Sequence, residues 1–303
     1  MRHRLGLAAA AALFATGAAA QNFDNATIRT TDLGNRLYMF EAFDGEEMLG
    51  GNMMIAAGGD AIILVDSNFA PLHEKTVAAI RAISDLPVRY LVNTHHHNDH
   101  TGGNAAFGRE GVTIVSQARM RQLMVLGTRN GLTDVQTGPA EAAALPGETY
   151  TGTMILRVGG QTASLVHVPG THTGGDTFVY FSNGDVLVTG DIVAFNRYPN
   201  VDYTTGGHID RMIAGVDRFI AMADEDTKIV PGHGPLGTRA DLIEYREMMA
   251  QSRERVLALM AEGKSEDEIV ALKPTADFDA KLHMDEPRTS NWIRVIYRSY
   301  RPQ

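Results

Sequence analysis

A chain of 303 residues with 44% hydrophobic side chains can bury a sizeable core, and its 36 acidic against 27 basic residues give a net charge of −9. That balance repels phosphate backbones and argues against nucleic acid as a partner. The absence of cysteine removes disulfides, cysteine nucleophiles and thiolate ligands together, so any metal here is held by nitrogen and oxygen.

Residues 1–20 begin with Arg2, His3 and Arg4, run through an apolar stretch from Leu5 to Ala15, and end on Ala18-Ala19-Ala20. This is the layout of a secretory signal peptide, and the stretch is too short and Ala-rich to span a bilayer. Cleavage before Gln21 leaves residues 21–303 as a single domain, periplasmic or secreted, with no membrane attachment once the signal is gone. The cut removes two arginines and no acid, leaving 25 basic against 36 acidic side chains, or −11.

Arg36–Phe43 and Asn52–Ala57 read as strands joined by the glycine-rich loop 44–51, whose Met48 and Leu49, with Phe43, either contact an apolar substrate or pack the hairpin. Ala61–Val65 is a short buried strand, and a helix starts near Pro71 with Val77, Ala79, Ile80 and Ile83 as its apolar stripe. Val88–Val92 and Val112–Val115 are further strands, Ser116–Leu126 is helical, and residues 127–150 give no clear signal. Four short strands follow at Met154–Val158, Ala163–Val168, Thr177–Phe181 and Val186–Thr189. Ile209–Met222 is a helix, Lys228–Val230 a strand, and a helical C-terminal extension occupies about 241–303, with a Ser265-x-x-Glu268 capping box inside it. Clustered strands with helices between and after them favour an α+β arrangement of two mixed sheets packed face to face with helices outside.

Directly after Val88–Val92 stands His95-His96-His97-Asn98-Asp99-His100. In an extended segment alternate residues point the same way, so His95, His97 and Asp99 face one point, with His100 beside them as the chain turns; His96 points away. Neutral imidazoles and a carboxylate are good zinc ligands. Three turn-like sites at strand ends each add one such residue: His172 in Pro169-Gly-Thr-His-Thr, Asp191 in Thr189-Gly-Asp, and His233 in Pro231-Gly-His-Gly. His73, His167 and His283 lack such context. His208, Arg197 and Tyr198 fall in or at the end of the segment 192–208 after Asp191, and are candidates for substrate contact because functional groups favour such loops.

The ordered set His95-x-His97-x-Asp99-His100, His172, Asp191 and His233, over roughly residues 35–240, resembles the metallo-β-lactamase superfamily. The resemblance implies a four-layer αββα sandwich with a metal site at one edge of its sheets. It further implies two Zn2+ per chain: one on His95, His97 and His172, one on Asp99, His100 and His233, and Asp191 bridging both. Asp99 also becomes the catalytic candidate for handling the proton of a metal-activated hydroxide. The β-lactamases of this family carry Cys at the Asp191 position and a nearby lysine, where this chain has Ala194; a bridging Asp is typical of thioesterases resembling glyoxalase II and of lactonases. Export suits β-lactams, lactones or other esters met outside the membrane. The sequence therefore points to a secreted dinuclear zinc hydrolase of a small-molecule cyclic amide or ester, β-lactamase-like activity leading, with a lactonase or thioesterase as the alternative. A non-catalytic metal- or ligand-binding module is the reading from a different class.

Overall fold

A computed structural model describes residues 23–301, so the signal-peptide reading of residues 1–20 lies outside the described residues. One sheet contains β1 (Thr27–Gly34), β2 (Leu37–Asp44), β3 (Glu47–Met48), β4 (Met53–Ala57), β5 (Ile62–Val65), β6 (Val88–Val92) and β7 (Thr113–Gln117). β8 (Thr128–Arg129) and β9 (Gln136–Thr137) form a separate ribbon, and β10 (Glu148–Tyr150) returns to the first sheet beside β7. The second sheet runs in sequence order through β11 (Thr153–Val158), β12 (Gln161–His167), β13 (Thr177–Phe181), β14 (Val186–Ala194) and β15 (Lys228–His233). The helices are α1 (His73–Arg81), α2 (Asn98–Thr101), α3 (Asn104–Arg109), α4 (Ala118–Leu126), α5 (Ile209–Met222), α6 (Arg239–Ala261), α7 (Glu266–Leu272), α8 (Ala276–Lys281) and α9 (Arg288–Ser299).

Strand alternation builds the layers. Met39, Ile63 and Val65 of the first sheet meet Leu165, Val179 and Val188 of the second in one buried cluster. Their sequence neighbours Phe40, Ile62 and Leu64 point the other way, onto Ile80 of α1 and Phe107 of α3. On the far side, Phe178, Leu187 and Ile229 pack under Met212 and Phe219 of α5, Met249 of α6 and Trp292 of α9. The result is the four-layer αββα sandwich, with mixed sheets: β5, β6, β7 and β10 are parallel, as are β14 and β15, while the other pairs are antiparallel. Aligned parallel strands bring the ends of β5, β6, β14 and β15 to one edge, and the metal-grade residues lie there.

Several expectations shift in detail. β14 does not stop at Thr189 but continues to Ala194, with register shifts on either side of Gly190, so Asp191 sits within the strand. His233 likewise closes β15 rather than following it. The unassigned stretch 127–150 supplies the β8–β9 ribbon and the edge strand β10. β1, which the sequence reading passes over, pairs with β2 along most of its length. The capping box before α7 forms in full, with Ser265 and Glu268 satisfying each other's backbone amides.

Candidate metal centre

β6 ends at Val92, and His95 and His96 fall in a bend, not in the extended segment that alternation assumed. His97 is the N-cap residue of α2, and the first turn of that helix carries Asp99 and His100. The turn, rather than strand pleating, brings Asp99 and His100 toward His95 and His97. His172 comes from the loop after β12, Asp191 from the bulged part of β14, and His233 from the end of β15.

All seven residues converge. Ligand atoms of His95, His97, His172 and Asp191 lie within 4.8 Å of one another, as do those of Asp99, His100 and His233. His97 Nδ1 is 2.9 Å from His172 Nε2, and Asp191 Oδ2 is 3.9 Å from His95 Nε2 and 3.7 Å from His172 Nε2. The same carboxylate reaches the other group: Oδ2 is 3.3 Å from His233 Nε2 and Oδ1 is 3.0 Å from His100 Nε2. Asp99 Oδ2 sits 3.2 Å from His233 Nε2. Asp191 therefore stands between two donor groups. Two glycines leave it and His100 their space: a Cβ on Gly232 would fall 2.0 Å from Asp191 Oδ1, and one on Gly51 would fall 2.2 Å from His100 Cε1.

The inward atoms fit metal ions. His95 Nε2, His100 Nε2 and Asp191 Oδ1 are buried and make no hydrogen bond, an arrangement that is costly unless something else satisfies them. The outward ring atoms, by contrast, are mostly engaged. His100 Nδ1 donates to Asp66 at 2.8 Å, His97 Nε2 to Asp202 at 3.2 Å and His172 Nδ1 to the Asn200 carbonyl at 2.7 Å. His95 Nδ1 lies 3.1 Å from the Thr94 hydroxyl, which itself donates to Asp66 at 2.7 Å. Outer partners of this kind fix ring orientation and tautomer in metal sites. His233 Nδ1 alone lacks one.

Asp66 and Asp202 are the residues that sequence reasoning missed. Asp66 ends an apolar strand just as Asp191 interrupts one, and that signal was available; Asp202 has no local pattern. The segment 192–208 thus serves the site from behind, through Asn200 and Asp202, more than it forms a cleft wall. Tyr198, a candidate for substrate contact, is buried instead: its ring stacks on Trp292 at 5.5 Å and its hydroxyl donates to Asp279. An aromatic with a polar tip is satisfied by that pocket in the C-terminal helices. His208 is likewise occupied, capping α5 by accepting from the Asp210 amide and packing edge-on against Tyr300. Arg197 is exposed and lines a cavity beside α6. In the loop 44–51, hairpin packing engages two of the three apolar side chains: Leu49 is buried with Ala42 and Leu72 and Phe43 lies under the Arg29 guanidinium, while Met48 reaches toward the site, its sulfur accepting from the Gly234 amide. His96 points away from the cluster, toward Asp202 at 3.9 Å, and burial holds its pKa down at about 3.

Without metal the centre carries protons. Burial opposes charge on His233, but the Asp191 carboxylate and hydrogen bonds to Asp191 and Asp99 outweigh it and lift the imidazole to about 9. Burial likewise opposes charge on His100, yet Asp191, Asp99 and Asp66 raise it well above the ordinary histidine value. The carboxylates respond in kind: burial works against their ionisation, and the facing histidines bring Asp99 and Asp191 down. A cation must displace the protons of His97, His100 and His233, all raised by the carboxylates that face them. Affinity for zinc is therefore expected to rise with pH from neutrality through about 9, where His233 titrates. Calorimetric titrations in buffers of different ionisation heat at pH 7 should show protons released as the centre fills; no release would contradict this electrostatic picture.

The family model of the metallo-beta-lactamase superfamily matches residues 48–233. The chain belongs to this superfamily. Among curated members it is 21% identical over 202 residues to metallo-beta-lactamase IND-1 of Chryseobacterium indologenes, covering 66% of this chain and 79% of that protein. It is 26% identical over 233 residues to a hydroxyacylglutathione hydrolase of Nitrosococcus oceani, covering 75% and 80%. A solved metallo-beta-lactamase from Pontibacter korlensis superposes with a TM-score of 0.60 at 20% identity, covering 74% of this chain and 99% of that one. The chain is a metallo-hydrolase of the metallo-beta-lactamase superfamily.

Proposed function

We propose that the chain is a secreted dinuclear zinc hydrolase that opens a cyclic amide or ester carbonyl, with β-lactams the leading substrates. The observation that carries this reading is Asp191, one carboxylate placed between two groups of nitrogen and oxygen donors. Two zinc ions bound there would polarise the carbonyl and bring the ionisation of an attacking water toward neutral pH. The chain's own residues supply the rest. His95, His97 and His172 would hold one cation and Asp99, His100 and His233 the other, with the Asp191 carboxylate available to both groups. Asp66 and Asp202 keep the rings aimed inward. Asp99, held ionised by the histidines facing it, is the acceptor for the proton of the attacking water. The apolar opening of residues 1–20 supports export to the periplasm or beyond.

A thioesterase is the second reading. Asp191 replaces the Cys that the resemblance places in β-lactamases, Ala194 replaces the nearby lysine, and the hydroxyacylglutathione hydrolase is the more identical of the two curated relatives above. A panel of β-lactams, lactones and thioesters, assayed on residues 21–303 with and without a chelator, separates the readings. We expect metal-dependent turnover with a preference for the cyclic substrates; preference for the thioester selects the second reading. Metal-replete protein inert toward the whole panel would leave a binding module.

A further inference from the structure

The donor group Asp99, His100 and His233 is assembled from two segments far apart in sequence. The helix α2 carries the first two residues, and the end of β15 carries the third. A binding constellation must be held to within about 0.5 Å, so those segments need a fixed register. For His95, His97, His100 and His172 a hydrogen-bond partner on the outward ring nitrogen supplies part of it. The His233 ring has no such partner, its Nδ1 being buried without a hydrogen bond. Its place must therefore come from its backbone.

Gly51 and Asn52, in the turn between β3 and β4, supply that hold. Their successive amides reach the two segments: Gly51 donates to the Asp99 carbonyl at 3.1 Å and Asn52 to the Gly232 carbonyl at 2.7 Å. The Asn52 side chain adds two bonds more, its Nδ2 donating to the carbonyls of Pro231 at 3.0 Å and Gly234 at 2.9 Å. One residue of the first sheet thus grips the backbone on both sides of His233. Asn68 secures the turn in its own right, its Nδ2 donating to the Leu49 and Gly51 carbonyls at 3.0 and 2.7 Å. Asn52 is buried, and its Oδ1 has no partner. An unsatisfied buried acceptor is costly, so the two N–H donors are what an amide contributes here.

We propose that Asn52 is a positioning residue that sets His233 against Asp99 and His100 and so governs the affinity of this one donor group. That the group holds one ion of a pair rests on the dinuclear reading above; the positioning itself does not. Two measurements on the mature chain test it. Cobalt titration of chelator-treated protein, followed by visible absorption, gives the two affinities, and His233→Ala marks the ion that its group holds. Asn52→Ala should weaken that ion by about 10–100-fold, as loss of an outer partner does, and leave the other nearly unchanged. Added to His233→Ala it should cost nothing further, because residues acting as one unit are not additive. In metal-free, histidine-labelled protein, the nitrogen–proton correlations of the His233 ring should move in Asn52→Ala while those of His95 and His172 stay in place. Asn52→Asp keeps the side-chain volume and gives up amide donors, so it should show the same split even where a cavity costs Asn52→Ala its fold. Native affinities in Asn52→Asp, equal loss at both ions, an additive double variant or unmoved His233 signals would each overturn the proposal. A single ion in the native chain, with the His233 signals still moved by Asn52→Ala, defeats the dinuclear reading alone.

Discussion

Asp191→Asn is expected to lower metal content from about two ions per chain toward one and to cut turnover by more than about 100-fold, above the 10–100-fold that loss of an outer partner typically costs. The side chain keeps its shape, so the fold should survive. What changes is charge and donor number. In the native chain both carboxylate oxygens face the cluster, Oδ1 at 3.0 Å from His100 Nε2 and Oδ2 at 3.3 Å from His233 Nε2. The amide offers one oxygen and no negative charge, so it serves one group of donors and turns an N–H toward the other. Metal analysis and steady-state rates on the same preparation check this. Two metals and an unchanged rate in the variant would remove Asp191 from the bridge.

Asp66 is expected to matter nearly as much without touching the centre. Its carboxylate is 1% exposed and accepts from the Thr94 amide at 2.8 Å, the Thr94 hydroxyl at 2.7 Å and His100 Nδ1 at 2.8 Å. Through Thr94 it also reaches His95, so one acid orients a ring in each donor group. Asp66→Ala strands three buried donors and should cost about 3 kcal/mol or more of stability, along with a 10–100-fold loss of zinc affinity. Asp66→Asn is the gentler probe, since Asn tolerates the left-handed backbone at this position, φ 59°. It keeps one acceptor where the native residue has two, so affinity should fall while the unfolding midpoint moves less. Metal competition with a chromogenic chelator reads the first effect and urea unfolding the second. Wild-type affinity in both variants would make Asp66 a purely structural residue.

The sequence disclosed the centre more fully than its mechanics. Residues that hold the cluster stand beside glycines and strand ends, and seven of them could be named because each sits in a short motif with an evident local geometry. The partners that aim them could not. Asp202 reaches His97 only because the chain after β14 doubles back across the site, a long-range event with no short-range mark. Tyr198 and His208 carry no short-range mark of their packing either: apolar burial against Trp292 engages the first, and the cap of α5 the second. Strand alternation gave the layers correctly because one-sided burial leaves a period of two in the sequence. It failed for β10 and the β8–β9 ribbon, which are too short to show any period, and it could not foresee that Gly190 lets β14 run on past its register shift to carry Asp191.

Zinc titration of the chelator-treated mature chain, followed by calorimetry with metal analysis of the product, addresses the proposed dinuclear centre most directly. Saturation at about two zinc ions per chain, with hydrolysis returning as the centre fills, is the outcome expected of seven converging ligands and a shared Asp191. Saturation at one ion, or full activity in metal-free protein, would contradict it.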